Sequence, residues 1–134
     1  MSYVKTFTVG DAVYNAVMAS AFDQDRLMSL LSAALIERAV AMARQDKEIG
    51  DDVLVPMFMA MPHDRKAQVA GILMHNVKLN GSNTNVDLKE FHGKIVQYNQ
   101  LLAQLLKWNL GDFFDYLASV VSAEAKPEQS QAPQ

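Results

Sequence analysis

The chain has 134 residues, a formal net charge of −3, 50% hydrophobic and 20% charged residues, and no cysteine. That length holds one domain with a sizeable core. The twelve Lys and Arg residues are too scattered for the basic stripe of a nucleic-acid protein, and without cysteine there are no disulfides or thiolate zinc sites, as in a reducing compartment.

The opening MSYVKTFTVG lacks the apolar core of a secretory signal, and no apolar run reaches the length of a membrane span. A cytoplasmic location is expected. Thr8 before Val9, with Asp11 three residues on, has the pattern of a helix start. Val9, Ala12, Val13, Ala16 and Val17 then supply an apolar face, with Asp11 and Asn15 opposite, and the helix fades near Ser20 to Phe22.

Asp23 or Asp25 begins a second helix that runs to about Gln45. Its main stripe is Leu27, Leu30, Leu31, Ala34, Leu35 and Met42, with Ile36, Val40 and Ala43 behind it. Only a narrow band near Arg26, Glu37 and Arg44 is polar. Arg38 projects from within the stripe, either with its stem packed at the core edge or as an interfacial arginine paired with a partner's carboxylate.

DKEIGDD forms an acidic loop. VLVPMFMAMP alternates like a strand, but Pro56 disfavours pairing, so a short helix with Pro56 in its first turn is preferred. Pro62 and Asp64 open the next helix, with Val69, Ile72, Leu73 and Val77 inward. NGSNTN, from Asn80 to Asn85, is a loop; a hairpin on Asn80-Gly81 is disfavoured by its short flanks.

Leu88, Phe91, Ile95, Tyr98, Leu102 and Leu105 then share one stripe of a long helix over 88–109, opposite Lys89, Gly93, Gln97, Gln100, Gln104 and Lys107. Asp87 and Glu90 form an aspartate version of the capping box, and the helix would be roughly 33 Å long. Leu101 and Trp108 on one shoulder, and Val96, Ala103 and Leu106 on the other, make the apolar arc wide enough for burial between several neighbours or for contact with another chain. Gly111 fits a left-handed cap, and Asp112 starts a short helix carrying Phe113, Leu117, Val120 and Val121 that folds back as a hairpin. From Ala123 onward the composition cannot support a core and predicts disorder.

The fold expected is therefore all-α, about five or six helices in one domain over 1–122, with a disordered tail over 123–134. His63, His75 and His92 have no ligand spacing. Gly93-Lys94 lacks the rest of a phosphate loop, there is no GxSxG elbow, and no ExxH pair marks a carboxylate metal site. No catalytic, cofactor-binding or metal-binding residue is expected, and the chain reads as a non-enzyme.

The segment DLKEFHGKIVQYNQLLAQLLKWNLGDFFDYL, with its WNLGDFF hinge, resembles tail assembly chaperones of long-tailed phages and prophages, the lambda and HK97 members among them. The opening FTVGDAV and the Pro/Gln/Glu-rich end are similar in kind. The resemblance implies a non-catalytic protein of virion morphogenesis that coats the tape-measure protein in the host cytoplasm and self-associates. It also implies a longer frameshifted form that engages tail-tube protein. For such a client the recognition mode would be a helix in an apolar groove, placed beside Leu101, Trp108, Phe113 and Phe114 with Arg38 as polar anchor. The same aromatics would serve equally to glue the hairpin together. A small DNA-binding helical regulator and a generic oligomeric helical module are the alternatives.

Overall fold

Strand β1 (Val4–Val9) turns back into strand β2 (Ala12–Val17) through the two residues Gly10 and Asp11. Gly10 sits at φ +61°, the conformation that calls for glycine in this turn; a Cβ there would meet only the end of the Gln97 side chain, with Oε1 at 2.8 Å. β3 (Val77–Leu79) pairs antiparallel with β2, giving the order β1-β2-β3. The computed structural model describes residues 3–31, 33–45, 47 and 49–120, with only the backbone of Ala34. These residues form six helices beside the sheet, so the chain is mixed α/β and not the all-α bundle expected.

The first helix expected is this hairpin. Phe7, Val9, Tyr14 and Ala16 are buried while Thr6 and Thr8 are exposed, a period of two. Val9, Ala12, Val13, Ala16 and Val17 also happen to satisfy helical spacing. The β-branched content and a glycine held at positive φ decide for the strand.

The second expected helix is two. Ser20 caps α1 (Ala21–Leu30), its hydroxyl accepting from the Asp23 N–H at 3.2 Å, and Leu31 leaves the helix at φ −71°, ψ 142°. α2 (Ala33–Arg44) follows. Helix, not strand, is the outcome at 53–61, although α3 (Asp51–Ala60) begins inside the presumed acidic loop, and Pro56 falls in its second turn. Pro56 and Asp52 are both exposed, so water can serve the carbonyl that the proline leaves without a donor. α4 (His63–Leu73) buries Val69, Ile72 and Leu73, but Val77 is buried on β3 instead. The disfavoured hairpin exists in rudiment: Lys78 bridges Asn85, and the Val86 N–H donates to the Val77 carbonyl at 2.7 Å. Pairing with β2 supplies the support its short flanks lack.

The long helix is also divided. Asp87 caps only a 3₁₀ turn over Leu88–Phe91, because Gly93 at φ +73° interrupts the path before α5 (Ile95–Asn109). Leu88 and Ile95, expected on the core stripe, are exposed as a result. From Tyr98 onward the phase is as expected, and Leu101, Leu102, Ala103, Leu105 and Leu106 are fully buried, whereas Val96, expected on a shoulder of the apolar arc, is exposed in the first turn. α5 is the central element. Phe7 of the sheet meets Trp108 edge-on at 5.5 Å, Tyr14, Phe91 and Tyr98 form a ring series, and α3 and α4 pack on other sides.

α6 (residues 111–120) starts at once after Leu110, whose carbonyl accepts from the Phe114 N–H at 3.1 Å. The break is carried by Leu110 at φ −109°, ψ 21°; Gly111 is not left-handed, contrary to the expected cap. Residues 121–134, with the expected tail, lie outside the described residues. Among the described residues no helix is long and apolar enough to cross a membrane.

Candidate functional site

The α5–α6 joint is fixed by Asn109, which is buried at the end of α5. Its side-chain Nδ2 donates to the Leu105 carbonyl at 2.9 Å, and Oδ1 accepts from the Ala19 N–H at 2.8 Å. Gln24 Nε2 donates to the Asn109 carbonyl at 3.1 Å. The link between β2 and α1 is thereby tied to the last turn of α5, and the direction in which α6 leaves is set.

Two grooves flank this joint, and Lys107 and Gly111 line both. The first, about 290 Å³, runs between α2 and α6. Its walls are Ala39 and Ala43 on one side and Phe114, Leu117 and Ala118 on the other, with Ile49 also lining it and Lys47 and Asp115 as charged members. Small residues on α2 create the space, and the ring and leucine on α6 supply its apolar surface. The second, about 560 Å³, lies between β1 and the end of α5; Lys5 to Thr8 form one wall, Gln104 and Trp108 the other, and Asp51 also lines it.

The sequence-derived site residues do not form one surface. Leu101 is fully buried in the core. Trp108 is half-buried and packs on Phe7, so it fastens α5 to the sheet, and it lines the second groove. Phe113 and Phe114 are a tilted pair at 5.3 Å, of which Phe114 lines the first groove. Arg38 is exposed on α2 and lines neither groove. Ala39 and Ala43 shape the first groove; Ala43 was expected only as part of the apolar face behind the main stripe, because alanines on such a face announce only close packing.

A polar cluster went unread as well. Asn99 is buried, donates from Nδ2 to the Ile95 carbonyl at 2.7 Å, and accepts from Lys66 Nζ at 2.5 Å. The Lys66 ammonium also lies 5.7 Å from the centre of the Tyr98 ring. Burial pushes the Lys66 pKa down and the Tyr98 pKa up. The cluster locks α4 to α5. No group of three His, Cys, Asp or Glu side chains that could hold a metal ion occurs among the described residues.

Comparison with protein-family models, curated proteins and solved structures finds no match to this chain.

Proposed function

We propose that this protein is a non-catalytic tail assembly chaperone of a long-tailed phage or prophage, working in the host cytoplasm and self-associating around an extended tape-measure client. A longer frameshifted form would carry the link to tail-tube protein. The groove between α2 and α6 is the observation that carries the reading. It is an apolar channel bounded by two helices and bordered by Lys47, Lys107 and Asp115, which suits the apolar stripe of an amphipathic client helix. The segment that resembles the chaperones contains α5 and reaches Leu117 in α6, so it supplies one wall of that groove. The hairpin, which departs from the helical build expected, lies outside this segment but contains the FTVGDAV run also likened to the family, and that run folds as strands.

The proposed site accordingly moves from Leu101, Trp108, Phe113 and Arg38 to Phe114 and Leu117 facing Ala39 and Ala43. Co-expression with a tape-measure protein, scored by the soluble client recovered with the chaperone, tests the reading. Ala118→Trp, at an exposed groove position, and Ala43→Glu should each abolish recovery of soluble client while the melting temperature stays within about 3 °C of the parent. Undiminished recovery with both variants would refute the groove.

A further inference from the structure

Asn80 and Gly81 form the tip of the turn that leaves β3. The Ser82 N–H donates to the Leu79 carbonyl at 2.9 Å, so these two are its central residues, and Gly81 takes φ +86°. Both are exposed, and a Cβ built on Gly81 would meet nothing within 4 Å. The Gly81 N–H has no hydrogen-bond partner among the described residues.

The Asn80 side chain is held by its oxygen. Asn15 Nδ2 donates to Asn80 Oδ1 at 3.2 Å, and the Thr6 hydroxyl donates to Asn15 Oδ1 at 2.8 Å. Thr6 thereby fixes which end of the Asn15 amide faces Asn80. Asn80 Nδ2 makes no hydrogen bond among the described residues. An asparagine followed by glycine is open to attack by its own main chain, because no side chain on the next residue shields the attacking nitrogen. Asn80 is the only one of the seven asparagines in the chain with glycine after it.

We propose that Asn80 is a self-modification site, converted to aspartate and isoaspartate through a cyclic imide with Gly81. The Gly81 N–H gives its proton to hydroxide, and the nitrogen attacks Asn80 Cγ. A C–N bond forms there, the bond from Cγ to Nδ2 breaks, and Nδ2 leaves as ammonia after taking a proton from water. Water then opens the ring. Attack at Cγ breaks the new bond and leaves aspartate; attack at the main-chain carbonyl breaks the old peptide bond and leaves isoaspartate. One water is consumed and one ammonia released, with no oxidation or reduction. Asn15 supports the negative charge that gathers on Asn80 Oδ1 while Cγ is tetrahedral.

Either product adds a negative charge at neutral pH, and isoaspartate also lengthens the main chain by one carbon at the turn. The turn is closed by the Ser82–Leu79 bond, the Lys78–Asn85 bridge and the Val86 N–H on the Val77 carbonyl. Isoaspartate therefore loosens the cover of β3. Asn80 and Gly81 line neither groove, so this site does not depend on the client proposed above.

The full chain is incubated at neutral and alkaline pH and sampled by peptide mapping, with an isoaspartyl methyltransferase reporting isoaspartate. Position 80 should gain about 1 Da at least about tenfold faster than any other asparagine, Asn83 and Asn85 in the same loop included. The rate should rise with pH, because the attacking nitrogen must first lose its proton. Asn80→Gln should abolish the gain, since the larger ring closes far more slowly. Asn15→Val, which removes the donor and keeps a strand-forming residue, should slow it at least about threefold; an unchanged or faster rate overturns the part given to Asn15. In the isoaspartate form the Val86 amide should lose exchange protection while the Leu105 amide, in the middle of α5, keeps it; equal protection at Val86 overturns the loosening. An intact Asn80 under conditions that convert a free peptide of residues 78–83 would show that the folded turn forbids the ring, and overturns the proposal.

Discussion

Asn109→Ala tests the joint that both grooves flank. The substitution removes the acceptor of the Ala19 N–H and the donor to Leu105, but the two losses are unequal. The Leu105 carbonyl keeps its helical bond from the Asn109 main-chain N–H, whereas the Ala19 N–H loses the partner it has at 2.8 Å. The orphaned Ala19 donor is partly buried and costs toward the lower end of about 1–3 kcal/mol, and the space left by the buried amide adds to it, so a total of about 2–3 kcal/mol is expected. For a chain of this size that is a fall in melting temperature of about 10 °C, measurable by circular dichroism.

Asn109→Asp sharpens the test. The introduced carboxylate can still accept from Ala19, but when ionised it places a second acceptor against the Leu105 carbonyl; when protonated it can donate there. Burial and that carbonyl favour the neutral form, so the folded pKa rises above the ordinary aspartate value of about 3.9. A raised pKa contributes stability that is present below the unfolded value and lost as pH climbs through the folded one. The deficit relative to the parent should therefore be greatest near neutrality and shrink toward about pH 4. A loss below about 0.5 kcal/mol for the alanine variant, or a pH-independent deficit for the aspartate, would refute the role assigned to Asn109.

Leu102→Ala and Leu105→Ala, both at fully buried positions, should each cost about 2–5 kcal/mol in chemical denaturation, against about 0.5 or less for Gln100→Ala; equal effects would mean that the phase of α5 is wrong. Tyr98→Phe should make unfolding less sensitive to alkali, because burial holds the phenol neutral in the folded state. The unfolded chain ionises first, and stability falls as pH rises from about 10 toward the raised folded pKa. Parallel alkaline titration curves for parent and variant would contradict this.

What could be read from the sequence was the repeating part. The leucines of α5 fall at helical spacing, and the width of their arc left open burial between several neighbours or contact with another chain; Leu101, Ala103 and Leu106 are fully buried, while Val96 is exposed. What could not be read depended on single backbone residues or on distant partners. Gly93 was placed on a wet helix face, where a glycine is tolerable, but its φ of +73° ends the helical path. The hairpin carried a real local signal in Phe7, Val9, Tyr14 and Ala16 around Gly10-Asp11. It competed with an equally regular helical pattern, and what separates them is remote: β3 lies about sixty residues further along the chain, and the Gln97 side chain beside Gly10 lies further still. The buried asparagines escaped for a related reason, since a polar residue on a leucine-rich helix reads as surface until its partners on other elements are known.

The same contrast explains why the residues singled out in the sequence do not share one surface. Aromatic residues drew attention at the α5–α6 joint, yet an aromatic side chain fills space, and Leu101 and Trp108 are largely spent on packing. Recesses form where side chains are small or where a strand has run out of neighbours. Ala39 and Ala43 leave the first groove its room, and the second lies beside β1, an edge strand among the described residues. The leucines of α5 saturate the core along its middle, so its surface lies at its ends: Ile95 and Val96 are exposed in the first turn, and Lys107 and Trp108 reach the grooves from the last. Lys107 and Gly111 line both grooves, but only the first has α6 as a wall, so the direction in which Asn109 aims α6 bears on the width of the first.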